Sequence, residues 1–491
     1  MRTIPITRSA VRLQPDPRRM IVKPYLPVGD GLVDEKTRVE RVIDRVMNVP
    51  VDDVAMTLRE LRITFGERHA DLDDVFMQGF SAVAHSVPGA AELSYDMRRL
   101  IGAYFVHEYS LESAALTNPS IVAAPDQSGV PGGSLRIIVS VRAIGEGHVS
   151  SIEFRTGMVG PTGEVELTAA DVPMIGDRRS PAFDKRLFTV KLDEMGAGDG
   201  LVRRTLDRLG ERFTIADLDA ALSDLAVEEA SSIAVQGVIK AMHWLASSNY
   251  EITFPQDSEL SQRVLFPSAP IESRGMEDAR LVRFNDDDGR VVYYATYTAF
   301  DGLNILPQLI ETTDFRAFEI ATLNGKAAKN KGIAIFPRLV GGRYAALARC
   351  DGESNYLMQS DNVRFWHDAQ QIQLPSLPWE LMQVGNAGSP IETEAGWLVV
   401  THGVGPMRRY ALGAMLLDLE DPSRVIGRLQ EPLLLPDETE RDGYVPNVVY
   451  SCGSLMHGDK IIIAYGASDT SAGFATVEAD ALLAALTSAH V

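Results

Sequence analysis

The spacing of apolar residues changes several times along the chain, and the changes divide it. Over residues 1–37 apolar positions alternate but are interrupted by Pro5, Pro15, Pro17, Pro24 and Pro27, which predicts an extended arm lying on another surface rather than a helix. The period then becomes helical. Val42, Ile43, Val46 and Met47 are followed by Val54, Leu58 and Leu61, with similar stretches at 71–86 and 90–107, so 38–111 is expected to be a helical region. Short β-rich runs come next, at Thr117–Val122, Leu135–Arg142 and Ser150–Arg155, separated by Gly and Pro as a β-meander requires. A second helical segment is expected at about 200–246, with Thr214 as its N-cap and Ile215, Leu218, Ala221 and Leu222 on one face. It reads as an insertion between β units.

Beyond Phe254 the chain is almost wholly strand and turn. Four stretches look like versions of one unit: those beginning at Glu277, at Phe336-Pro337, at Ser389-Pro390 and at Val445-Pro446, each leading into a second apolar strand. They recur roughly every 50–60 residues, the period of four-stranded propeller blades, and Asn118-Pro119-Ser120 supplies a fifth. The expected fold is therefore mainly β: a five-bladed β-propeller over 112–487, preceded by the helical region and carrying the helical insertion. A sandwich of the same strands is the alternative. In a propeller the innermost strand of every blade begins near the axis, so residues hundreds apart in sequence converge.

Charge narrows the choice of partner. Among 491 residues, 67 Asp and Glu stand against 47 Lys and Arg, a formal charge of −20 that opposes phosphate backbones and anionic membrane surfaces. Nucleic acid and membrane are excluded as expected partners, and an anionic ligand would need its own basic pocket. Cys350 and Cys452 are too few for a disulfide framework and lack metal-site spacing. No apolar run approaches the ~20 residues of a membrane helix, and no h-region follows Met1, so a cytoplasmic location is expected.

Charge also concentrates beside one strand, in Arg274-Gly275-Met276-Glu277-Asp278-Ala279-Arg280. Convergence would bring to it Asn118, Arg142 and His148 from the first blade, Tyr297 from the second, and Lys331 and Arg349 from the third. The fourth would add Glu392 and His402, and the fifth Glu440, Asn447, Tyr465 and Asp469. Acid–base work on a glycosidic bond needs two carboxyls, about 6.5–9.5 Å apart where a water must fit between them and the sugar. Asp278, Glu392 and Glu440 are the candidates. Each has a plainer reading: a surface ion pair for Glu277 with Arg280, a solvated hairpin turn for Glu392, a charged loop for Glu440. His148 and His402 have no partner at i+4, which argues against a metal. Nucleophile-elbow, Walker and dinucleotide signatures do not occur in strand–helix context, and no cofactor is implied.

Several strings taken together resemble glycoside hydrolase family 130: Gly275-Met276-Glu277-Asp278-Ala279-Arg280; Asn330-Lys331-Gly332 with Phe336-Pro337 and Arg349; Gly396-Trp397-Leu398 with His402-Gly403-Val404; Tyr410–Asp418 with Asp421–Arg428; and Val445–Tyr450. That family contains β-mannoside phosphorylases and β-mannosidases on a five-bladed propeller. The resemblance covers about 112–485 apart from the helical insertion. It implies that Asp278 is the general acid, relaying its proton through the sugar's 3-hydroxyl, and that Lys331 and Arg349 stand where phosphate is held. It also puts Glu392 where phosphorylases carry a lysine. Ala279 replaces a common proline. The expectation is an inverting glycosidase hydrolysing β-mannosides, chiefly β-1,2-linked, with Glu392 and Glu440 activating water. The alternatives are a phosphorylase releasing mannose 1-phosphate, with inorganic phosphate in place of water, and a non-catalytic carbohydrate-binding propeller. Asn118, Arg142, His148, Glu277, Arg280, Tyr297, His402, Asn447 and Asp469 are the expected sugar ligands, and a homo-oligomer packed through the helical additions is expected.

Overall fold

In the computed structural model the described residues are 4–27, 36–69, 71–198, 200–229 and 232–488; parts of the N-terminal arm, 1–3 and 28–35, lie outside them. They form two compact units, one of Asp16–Ser113 with Val172–Met174, the other of Met1–Pro15, Ala114–Asp171 and Ile175–Val491. The smaller unit holds helices Arg38–Met47, Val51–Phe65, Leu72–Val83 and Tyr95–Ala103 and a hairpin of Met20–Pro24 with Val106–Ser110. Thr37 and Glu40 close a capping box on the first helix, and Ser94 caps the fourth. Ile43, Leu58, Phe80, Leu100 and Phe105 form its core. The third and fourth helices meet backbone to backbone at Gly102, where a Cβ would lie 1.7 Å from the Phe76 carbonyl oxygen.

The larger unit is mainly β. Its first meander is Ala115–Ala123, Leu135–Ile144, Ser150–Val159 and Val165–Leu167; its second is Gly275–Asn285, Val291–Phe300, Ile305–Thr312 and Ala317–Thr322, extended by Tyr250–Thr253 and Asp177–Arg179. A single parallel pair, Gly275 with Ser150, joins these two into one sheet. The third runs from Ala334–Ile335 through Tyr344–Ala348 and Asn355–Ser360 to Ala369–Gln373. The fourth comprises Gln383–Asn386, Gly396–Val404, Tyr410–Leu417 and Val425–Arg428, with Ile391–Thr393 pairing beside Gly396–Val404. The fifth contains Val449–His457, Lys460–Ala467 and Ser471–Glu478, and its outer strand is Ile6–Leu13 from the other end of the chain. The arm thus supplies an edge strand whose eight residues lie between Pro5 and Pro15 and include no proline.

First strands of different meanders touch closely. The Ser120 hydroxyl accepts from Leu281 N at 3.0 Å, a Cβ at Gly453 would fall 2.3 Å from that same hydroxyl, and one at Gly388 (φ +131) 2.6 Å from Gly453 Cα. Only residues without a side chain permit this approach. Near the start of four of these strands stands an Asn or Asp in the left-handed region: Asn118 (φ 49), Asp278 (φ 58), Asn330 (φ 61) and Asn447 (φ 62). Short polar side chains tolerate that conformation best.

The helical insertion also belongs to the larger unit and begins earlier than its periodicity suggests. It contains Lys185–Glu194, Gly200–Asp207, Ile215–Glu228 and Ile233–Ser247, packed on Phe188, Leu192, Leu218, Leu222 and Met242. Thr214 caps the third of these helices, in a box with Asp217. The first was missed because Lys191 is buried on its core face, pairing with Glu194 at 2.7 Å, and breaks the apolar stripe.

Candidate active site

Asp278 sits at a bulge between Glu277 and Arg280, where the ladder to Val291–Phe300 loses register. Its left-handed backbone costs about 1–3 kcal/mol, a strain that persists where surrounding structure enforces it. Asn118 Nδ2 donates to Asp278 Oδ1 at 2.6 Å, and Arg142 spans both acids, 2.6 Å from Glu277 Oε1 and 3.5 Å from Asp278 Oδ1. The Lys331 ammonium caps the other Glu277 oxygen. Glu277 is therefore spent on two cations. Burial acts to raise the Asp278 pKa, but Arg142, Lys331, Asn118 and Arg280 outweigh it and hold the carboxyl below its ordinary value.

Arg280 is 2 % exposed and runs beneath this pair: its Nη1 donates to Asn386 Oδ1 at 2.7 Å and its Nη2 to the Tyr450 hydroxyl at 2.7 Å. Asn386 continues the chain of contacts, donating from Nδ2 to Gly332 O at 2.7 Å and accepting through its backbone oxygen from His402 Nδ1 at 3.0 Å. The other His402 nitrogen, Nε2, accepts from Arg349 Nη1 at 3.1 Å, so the partners assign the proton to Nδ1. Burial, with Arg349 and Arg280 nearby, depresses the His402 pKa far below the usual imidazole value. A neutral imidazole thus holds Arg349 in place. The Nε atoms of Arg142, Arg280 and Arg349 are buried and have no protein partner among the described residues.

Asp469, in a left-handed turn with Ser468, completes the acidic side. Burial and the charge of Asp278 push its carboxyl up to about 6, against Arg142, Arg408 and a hydrogen bond from Thr117. The cluster so assembled contains Asn118, Arg142, Glu277, Asp278, Arg280, Lys331, Arg349, His402 and Asp469, with Asn386 and Tyr450 as members that the sequence reading did not single out. Tyr450 ends the string Val445–Tyr450, and its hydroxyl partner Arg280 was the available signal.

Six residues expected at the site have other roles. Glu392 is the chief correction: it forms a forked pair with Arg338, at 2.9 and 2.7 Å, and its side chain is 43 % exposed. Strand alternation explains this, since Ile391, registered against Leu398, packs on the core and Thr393 is buried, while Glu392 between them lies on the other face with its registered partner Trp397 and with Arg338. Glu440 is 2 % exposed and locked: Arg12 Nη2 and the Tyr465 hydroxyl reach Oε1 at 2.5 and 2.6 Å, and Arg8 Nη2 reaches Oε2 at 3.1 Å. Its site partner Tyr465 is thereby committed as well. Tyr297 gives its hydroxyl to Glu272 at 2.5 Å, together with Tyr250 at 2.8 Å. Asn447 turns its side-chain oxygen to Arg441, 3.3 Å away. His148 is exposed and stacks on Tyr444, with ring centroids 5.6 Å apart.

The described arrangement can protonate a leaving group from Asp278 and hold an anion among Lys331, Arg349 and Arg280. Residues 244–488 match a family model described as beta-1,4-mannooligosaccharide phosphorylase. A 1,2-beta-oligomannan phosphorylase of Thermoanaerobacter sp. is 36% identical over 231 residues, 45% of this chain and 73% of that protein. A beta-1,2-mannobiose phosphorylase of Listeria innocua is 34% identical over 215 residues, 42% of this chain and 59% of that protein. Among solved structures, the Listeria innocua beta-1,2-mannobiose phosphorylase with bound beta-1,2-mannobiose aligns with TM-score 0.45 and 22% identity over 77% of this chain and 93% of that one. Another, from work on hydrolases within the same family that target beta-1,2 mannosidic linkages in Candida mannan, aligns with TM-score 0.46 and 16% identity, covering 76% and 87%. The chain is a member of glycoside hydrolase family 130, whose enzymes act on β-mannosides by phosphorolysis or hydrolysis.

Proposed function

We propose that this enzyme is a β-mannoside phosphorylase, acting on β-1,2-linked manno-oligosaccharides and releasing mannose 1-phosphate. The observation that carries the reading is the fate of the carboxylates. Of the groups a hydrolase would need to activate water, Glu392 is paired with Arg338 in solvent and Glu440 is bound by two arginines and a tyrosine. Arg349 and Arg280 meanwhile each carry an Nε donor with no protein partner among the described residues, and the Lys331 ammonium has donors beyond the one it gives Glu277, an array suited to a phosphate dianion. Three of the curated relatives that match are phosphorylases of β-1,2-mannosides, and a fourth, 25% identical, is a 4-O-beta-D-mannosyl-D-glucose phosphorylase.

In this reading phosphate enters among Lys331, Arg349 and Arg280 and attacks the anomeric carbon from the face opposite the leaving sugar. The C–O glycosidic bond breaks, the new C–O–P bond forms with inversion, and the leaving oxygen takes the proton Asp278 sends through the 3-hydroxyl. Asn118 and Arg142 orient the acid, and Asp469 accepts from a sugar hydroxyl. Five meanders whose first strands converge fit a five-bladed propeller, with Ile6–Leu13 closing the last blade, and we take that as the fold.

Incubation with β-1,2-mannobiose should give mannose 1-phosphate and mannose only when phosphate is present. Two equivalents of free mannose, formed equally without phosphate, would sink the proposal. Asp278→Asn should lower turnover about 10³-fold with the thermal transition retained.

A further inference from the structure

Outside the Asp278 cluster, a groove of about 680 Å³ lies between helix Ile233–Ser247 and the strands Asp177–Arg179 and Tyr250–Thr253. That volume lies within the range of small-molecule sites. Its lining includes Arg178, Arg179, Lys240 and His243, and no carboxylate, in a chain whose formal charge is −20. Arg178 is fixed: its guanidinium donates to Ser268 O at 2.8 Å and Ser247 O at 2.7 Å and lies 4.6 Å over the Tyr250 ring. Arg179 and Lys240 are exposed and have no ion pair among the described residues, although Arg179 is registered opposite Glu251. His243 faces Asp219 at 3.6 Å. Lys240 and Trp244, four residues apart on the helix, share one face, so a flat apolar wall adjoins the cations.

We propose that this groove is a second ligand site, for a phosphorylated sugar, with the pyranose against Trp244 and the phosphate between Arg179 and Lys240. A bare anion would use the cations but leave the aromatic wall idle, and a neutral sugar would do the reverse. The choice of ligand rests on the phosphorolysis reading, whose product belongs to this chemical class. The groove would then register accumulated product.

Trp244 makes the test direct, because the chain's other tryptophans, Trp366, Trp379 and Trp397, are buried, at 0 %, 9 % and 0 % exposure. Mannose 1-phosphate titrated into the full chain should bind at two equivalents by calorimetry and change the tryptophan emission. Arg179→Glu with Lys240→Glu, both exposed positions, should retain the circular dichroism spectrum and phosphorolysis rate, bind one equivalent and lose the emission change. Trp244→Phe should weaken the groove equivalent about tenfold. If the groove proposal alone is wrong, the wild type already binds only one equivalent and the double variant binds that equivalent unchanged; if the phosphorolysis reading alone is wrong, the wild type binds one equivalent and the double variant none. Inorganic phosphate saturating the groove as tightly as mannose 1-phosphate would also overturn the assignment to a sugar phosphate.

Discussion

Asp278 has to be protonated to serve as an acid, yet four neighbours hold its carboxyl below the ordinary value. In the proposed phosphorolysis, phosphate resolves the conflict. A dianion bound beside Lys331 and Arg280 offsets two of the charges that keep the proton away, so Asp278 gains its proton in the complex that needs it. The alkaline limb of kcat, which reports the complex, should therefore lie at higher pH than the limb of kcat/KM for the mannoside measured at low phosphate, which reports the free enzyme. Coincident limbs would refute this loading of the acid. At the neighbouring position in the argument, Glu392→Gln should change kcat/KM less than twofold, because it removes only an exposed ion pair worth roughly 0–1 kcal/mol; a loss above a hundredfold would restore Glu392 as a base. Glu392 was misread because motif position places a residue along a strand but not on one of its faces. Alternation of Ile391 and Thr393 held the answer.

At the scale of elements, the meeting of Asn118, Arg142, Glu277 and Asp278 was legible in the recurrence of similar two-strand stretches roughly every 50–60 residues, which predicts that their first strands converge. The family match begins at 244, so the first meander's contribution rests on that internal repetition and on the contacts to Asp278. The N-terminal arm was only half legible: its prolines marked extended chain rather than helix, but pairing across more than 450 residues, Ile6 with Val477, leaves no local trace. That strand brings Arg8 and Arg12 to Glu440, whose pKa burial would raise but Tyr465 and the two arginines lower. A depressed carboxylate stabilises the fold above its unfolded value and loses that contribution as pH falls through its folded value. Arg12→Ala should accordingly cost about 1–3 kcal/mol at pH 7, leaving a buried acceptor short of a partner. The cost should shrink as pH falls through the depressed folded-state value of Glu440, where the carboxyl protonates in both proteins. Thermal denaturation across pH tests this, and a gap that widens in acid would contradict the assigned role of the strand.

For the whole molecule, a charge of −20 and the anionic co-substrate of the proposed reaction pull in opposite directions. The long-range field would repel phosphate, whereas buried Arg280 and half-buried Arg349, with the partly exposed Lys331, would attract it over a few ångströms. Salt screens exposed charges beyond roughly 8–10 Å at 0.1–0.15 M but screens buried neighbours much less. Raising ionic strength should then remove more repulsion than attraction. We expect kcat/KM for phosphate to rise about twofold between 20 and 150 mM of a salt with a bulky, weakly binding anion, while kcat/KM for the neutral mannoside, at saturating phosphate, stays flat. A steep fall for phosphate would mean that its cations lie open to solvent, contrary to the burial of Arg280 and of the arginine Nε atoms. Arg349→Ala should keep the salt trend and raise KM for phosphate by at least tenfold, because it removes a local contact and barely alters the net field.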